Sequence, residues 1–161
     1  MIALLDNTVL SNFAAIGRPD LVQLALGDDA ATCEAVWAEL QTGIRLGKLP
    51  DYDWSWLPVL ALTDSEMPLY HLLSERLNEG EAACLAMAAT RQCRVFTDDQ
   101  DARSLAAERR IPISGTLGLL LRLIDLQVLS LTEADAQLAA MVAAGYRSPI
   151  ASLQVLLSSS V

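Results

Sequence analysis

Apolar positions along the chain switch between two rhythms. Residues 2–5 form an unbroken apolar run that stops at Asp6, which predicts a short buried strand. Leu10, Phe13, Ala14 and Ile16 then fall on one helical face. Pro19 stands where a helix begins, and the spacing carries that helix through Leu26. AATC at 30–33 suits a short strand. Val36, Trp37, Leu40 and Ile44 recur at helical spacing within 34–46. Residues 50–56 read as loop and LPVLAL, at 57–62, as a strand. Thr63 or Asp64 is placed to cap a helix over 65–77. Asn78 breaks that helix and opens the next, NEGEAACLAMAAT. RVFT, at 94–97, is a strand ending at Asp98-Asp99, and DARSLAAERR is helical. IPIS, at 111–114, is a fifth strand, stopped by Gly115. Helices follow over 116–126, 132–144 and 148–157, with Gly145 ending the second and a polar fray after the third.

Short strands alternating with helices predict an α/β fold, a three-layer α/β/α sandwich with a mostly parallel central sheet. The strands are apolar along their whole length, as expected when helices cover both faces. No linker and no repeat interrupts the pattern, so residues 1–161 read as one domain.

Composition narrows the chemistry. The net charge is −9 and the only lysine is Lys48, which argues against a nonspecific DNA-binding surface unless many acids converge on cations. Arg45, Arg103 and Arg122 are candidates for a local positive rim. The single histidine, His71, rules out any site with two His ligands and lies in an ordinary helical pattern, LYHLLSERL. Cys33, Cys84 and Cys93 match no zinc spacing and read as buried thiols of a reducing compartment. MIALLD lacks the basic leader of a signal peptide, and no apolar run nears the roughly 20 residues of a membrane span. A cytoplasmic location is expected.

In parallel α/β sheets, ligands bind beyond the carboxyl ends of the strands. Two predicted strands end in acids there, at Asp6 and at Asp98-Asp99. Glu81 falls in the first turn of the NEGEAACLAMAA helix. At about 100° per residue, Glu39 lies roughly 115° from the centre of its helix's apolar face, at the edge of the buried stripe. Carboxylates gathered together repel unless a cation joins them, and oxygen-only ligands suit Mg²⁺ or Mn²⁺. Each acid also has a local role open to it. Asp6 and Asp98 are placed to cap helices, Asn78 with Glu81 spells a capping box, and Glu39 suits a solvated helix face.

These residues together resemble a known family. IALLDNTVLSNFAAIG is similar to the opening of PIN domains, and AVWAELQTG to their second motif. The block from Leu77 to Leu129 resembles small prokaryotic PIN proteins related to VapC-type toxins: a Gly-Glu helix start, an Asp-Asp pair, an Ala-Arg and a Gly-Thr-x-Gly segment. The closing stretch LAAMVAAGYRSPIASLQVLL resembles the family's two last helices.

The resemblance implies a Mg²⁺ or Mn²⁺ site, endonucleolytic cleavage of single-stranded RNA by an activated water, a small antitoxin protein as partner, and a homodimer. By position the site acids are Asp6, Glu39, Glu81 and Asp99, with Asp98 able to replace or support Asp99 and Asp101 further out. Thr8, Ser11 and Asn12 are placed to orient Asp6 or hold a metal water, and equally to act as turn and cap residues. Arg103 is spaced to pair with the Asp98/Asp99 corner, and Thr116 to contact phosphate or cap a helix.

Rival strand-end-Asp enzymes fit less well. A haloacid-dehalogenase-like phosphatase needs a second Asp where Thr8 stands, and a receiver domain needs a lysine on its last strand. The remaining alternative is a catalytically inactive PIN-fold protein or a module binding nucleic acid or protein.

Overall fold

The computed structural model describes residues 1–158. Five strands form one all-parallel sheet: β1 (Ala3–Leu5), β2 (Ala30–Cys33), β3 (Val59–Leu60), β4 (Arg94–Phe96) and β5 (Ile113–Ser114), in the order β3-β2-β1-β4-β5. Every residue of β1 and β2 is buried. Ala and Leu are poor strand formers, so coverage on both faces outweighs intrinsic preference here.

Nine α-helices accompany the strands among the described residues: α1 (Asn7–Ala15), α2 (Asp20–Leu26), α3 (Glu34–Arg45), α4 (Met67–Leu73), α5 (Glu79–Arg91), α6 (Gln100–Glu108), α7 (Thr116–Asp125), α8 (Leu131–Ala143) and α9 (Gln154–Ser158). One face of the sheet carries α5, which packs on β1, β2 and β4 and is flanked by α3, α4 and α6. Residues Gly80 to Ala88 of α5 are all buried, as expected of a helix enclosed on every side. On the other face α2 packs against α7, and α8 packs on α7 and α1. The expected three-layer sandwich is therefore present. None of the described helices is long and apolar enough to cross a membrane.

The order of strands reverses direction at β1. The chain runs outward from β1 to β2 and β3, then returns to lay β4 on the opposite side. The carboxyl ends of β1 and β4 thus lie side by side at the switch point, where the flanking loops part and leave a crevice. Their ends are in register: Leu5 pairs with Phe96, and the Asp6 amide donates to the Phe96 carbonyl at 2.9 Å.

Several elements are shorter than the pattern predicts, β5 keeping only Ile113–Ser114 of 111–114. Only Val59–Leu60 of 57–62 pairs as a strand, because Pro58 precedes it and the Ala61 carbonyl is taken by Arg91. The helix expected over 65–77 runs only from Met67 to Leu73. Glu66, not Thr63 or Asp64, holds its N-cap position, and the Glu66 carboxylate accepts the Thr63 amide at 2.8 Å while pairing with Arg91 at 2.7 Å. The last helix starts at Gln154 in place of 148. Ser148 bonds locally to Ile150, and Asp135 captures the Ser152 hydroxyl and the Leu153 amide, so side chains divert the backbone from helix. The polar fray expected beyond it lies outside the described residues.

Candidate metal centre

Asp6 follows β1 directly and is 1% exposed. One carboxylate oxygen, Oδ2, accepts the Thr97 hydroxyl at 2.8 Å and the Thr8 hydroxyl at 3.1 Å. The other, Oδ1, is buried and has no hydrogen-bond partner. Such an orphan is costly in a folded protein unless something else meets it. Burial raises the Asp6 pKa, and the Thr97 hydroxyl, the Asn7 amide and the Thr8 hydroxyl only partly offset this. Asp6 occupies the N-cap position of α1 without capping it through its side chain.

Three more acids lie close enough to Asp6 for their charges to act on one another. Glu39 is half-buried on α3, at the stripe edge that the helical pattern predicts. Burial followed by the Asp6 charge raises its pKa, which the nearby Gly80 amide offsets only in part. A Cβ added to Gly80 would lie 2.7 Å from Glu39 Oε1 and 2.9 Å from Val36, so only glycine lets α5 approach this carboxylate. Glu81, buried in the first turn of α5, completes the capping box: it accepts the Asn78 amide at 3.2 Å while Asn78 Oδ1 accepts the Glu81 amide at 2.9 Å. Burial, then the charges of Asp6 and Asp99, push the Glu81 pKa up to about 7. Asp99 caps α6, accepting the Ala102 amide at 2.8 Å, and its charge acts on both Asp6 and Glu81. The capping role foreseen for Asp98 belongs to its neighbour.

Asp98 is drawn away from this group. Oδ1 accepts the Thr116 amide at 3.0 Å, and Oδ2 accepts the Thr116 hydroxyl at 2.6 Å and Asn12 Nδ2 at 3.2 Å. It therefore latches the start of α7 to β4 and α1, where a carboxylate complements the helix dipole. Gly115 makes this possible, since a Cβ there would collide with Asp98 Oδ1. Asn12 serves the same latch, donating also to the Thr116 hydroxyl at 3.0 Å, and does not touch Asp6. Thr116 is fully buried, so it has no surface to offer a phosphate.

Arg103 corrects another expectation. It forms no pair with Asp98 or Asp99; its Nη1 donates to the carbonyls of Thr97 at 2.9 Å and Ser114 at 3.2 Å where β4 and β5 end, the Ser114 carbonyl also accepting the Thr97 amide at 2.9 Å. Thr8 does orient Asp6, and also accepts the Asp98 amide at 3.0 Å. Ser11 bonds to Asn7 instead. Arg45 is tied to Thr42, and Arg122 to the Ala25 carbonyl at 2.5 Å, so neither forms a rim around the acids.

Thr97 is the partner that sequence reasoning missed. Its only signal was a β-branched hydroxyl at the last position before the Asp-Asp pair.

The donor set fits a hard divalent cation. All donors are oxygens, and one is an orphaned, buried carboxylate atom. Among the described residues no three acidic, His or Cys side chains already converge as a ready-made ligand cage.

Without the cation, the crowded acids make stability depend on pH. The folded Glu81 pKa lies above its ordinary value of 4.5, so its stabilising contribution is complete below about pH 4.5 and is lost as pH rises through about 7. In EDTA the melting temperature should drop by several degrees between about pH 5 and pH 8. Glu81→Gln should flatten that fall. Melts followed by circular dichroism decide, and a wild-type slope equal to the variant's would contradict the assignment.

A fold with acids gathered at the switch point of a parallel sheet defines a candidate metal-dependent hydrolase. A family model described as a PIN domain matches residues 2–160, and the chain belongs to the PIN-domain family. PIN domains are generally nucleases. Searches of curated proteins and of solved structures returned no match.

Proposed function

We propose that this protein is a Mg²⁺- or Mn²⁺-dependent endoribonuclease that cuts single-stranded RNA. The observation that carries this reading is the buried, partnerless Oδ1 of Asp6 with Glu39, Glu81 and Asp99 around it. These four residues would hold the cation. When bound, it would lower the pKa of a coordinated water and offset charge on the phosphodiester.

The protein's own residues do the rest. Thr97 and Thr8 hold Asp6 through Oδ2, which leaves Oδ1 without a hydrogen-bond partner. Glu81, with its pKa near 7, surrenders its proton when positive charge arrives. The Asp99 side chain stays rigid because it caps α6.

The choice of RNA, a toxin role with a small antitoxin partner, and a homodimer rest on the resemblance of residues 77–129 to VapC-related proteins. A cytoplasmic location agrees with three buried free thiols, two of which, Cys33 and Cys84, lie 3.9 Å apart unbonded.

The purified protein with Mn²⁺ should cut a mixed single-stranded RNA pool, measured on denaturing gels. Glu39→Gln should lower the rate by at least about 100-fold, the scale on which even outer partners of a metal ligand act. Equal cutting by both proteins would assign the activity to another site or a contaminant. Binding without cutting would favour the inactive PIN-fold reading.

A further inference from the structure

An open trough leads away from the acids toward the loop after α8. Its first part, about 650 Å³, runs from Thr8 and Asp99 past Asp101 to Tyr146 and Arg147. A second cavity of about 420 Å³ continues on the far side of Tyr146 over Ile113, Leu117 and Pro149, with Arg103 beside it. Asp98, Gln100, Tyr146 and Arg147 line both. We propose that this trough is a nucleotide subsite of the nuclease centre, where a base of single-stranded nucleic acid lies on the Tyr146 ring and the adjoining phosphate meets Arg147. The proposal rests on the reading of the acids as a phosphodiester-cleaving site.

Arg147 has the free charge that the role requires. Arg18 is paired with Asp20 and Arg91 with Glu66, Arg45, Arg103 and Arg122 are hydrogen-bonded to neighbours, and Arg76, Arg94, Arg109 and Arg110 line neither part of the trough. Arg147 is exposed and has no hydrogen bond or ion pair among the described residues. It stands at the edge of the acids in a chain of net charge −9. A guanidinium there offers a planar, always-charged phosphate contact.

Tyr146 supplies the complementary half. Its ring is half-buried against the core, which leaves one part available to the trough. Burial, then the Asp98 charge, push its hydroxyl up to about 12, so it stays neutral and able to donate. The loop is set before any ligand arrives. The Tyr146 amide bonds to Met141 at 2.9 Å, Ser148 closes a local ring with Ile150 at 2.6 Å, and Asp135 ties down Ser152 and Leu153. A rigid aromatic platform beside a free cation suits stacked bases, with little ordering needed on binding.

The test is fluorescence anisotropy with a labelled mixed-sequence RNA 10-mer, Ca²⁺ replacing Mn²⁺ and probe integrity checked on gels. Tyr146→Ala and Arg147→Ala should each weaken binding about tenfold, and Tyr146→Trp should restore it. Arg147→Ala should also reduce the slope of log affinity against log salt by about 0.7, one single-strand phosphate contact. A matching DNA 10-mer reports whether a 2′-hydroxyl contributes; affinity for either strand, lost in the alanine variants, supports the subsite. Wild-type affinity and salt slope in both alanine variants would overturn it, as would no affinity of the wild type for either strand. Arg147 is exposed, so its variant tests binding even if Tyr146→Ala fails to fold. Tyr146-dependent binding without cleavage would keep the subsite and remove the nuclease reading. Normal cleavage with unchanged KM in both variants would do the reverse.

Discussion

Asp6→Asn should abolish Mn²⁺ binding by calorimetry and lower RNA cleavage by about 1,000-fold or more, a loss on the scale of removing preorganised charge from a reaction centre. Asparagine matches aspartate in shape, so the backbone need not move. Orientation decides the outcome. Thr97 and Thr8 both donate to Oδ2, so the amide oxygen must take that position. The NH₂ group then replaces the orphaned Oδ1. A cation would meet donors where it needs an acceptor. The same change removes one buried negative charge from a repelling group, so in EDTA the variant should melt a few degrees above the wild type. Gain of stability with loss of binding separates this from unfolding. Unchanged Mn²⁺ heat would remove Asp6 from the ligand set.

The adjacent acids should behave as opposites. Asp98→Ala should destabilise the fold by about 2–4 kcal/mol, because it strands the Thr116 amide and hydroxyl and Asn12 Nδ2 without their charged acceptor. The melting temperature should fall by roughly 10 °C. Asp99→Asn should leave stability within about 0.5 kcal/mol, since Asn caps a helix as well as Asp does. Mn²⁺ affinity should follow the reverse order, with the larger loss in Asp99→Asn. Thermal melts and calorimetry on the two variants give the answer. A destabilised Asp99→Asn with intact metal binding would exchange the two roles.

Features acting within one turn or one strand were legible in the sequence. The apolar run ending at Asp6, the stripe edge at Glu39 and the Asn78–Glu81 capping box all depend on neighbours a few residues away. The parallel sheet followed from the alternation of elements. Roles depending on distant partners were not legible. Asn12 and Asp98 are 86 residues apart, and Asn12 and Thr116 are 104 apart. Only the return of β4 to the side of β1 brings them together. Asp98 and Asp99 look equivalent as neighbours in the chain, yet extended backbone turns successive side chains to opposite sides. Arg103 was misread for a related reason. Spacing along its helix pointed to the Asp pair, whereas its guanidinium reaches the carbonyls of Thr97 and Ser114 at two strand ends.

Gly80 shows a different kind of contribution to a site. The seat of Glu39 is a missing side chain, a space one methyl group deep between two helices. No inventory of charged or polar residues would include it. Function at this position is written as an absence, and the smallest possible addition to the chain would fill it without altering one charge.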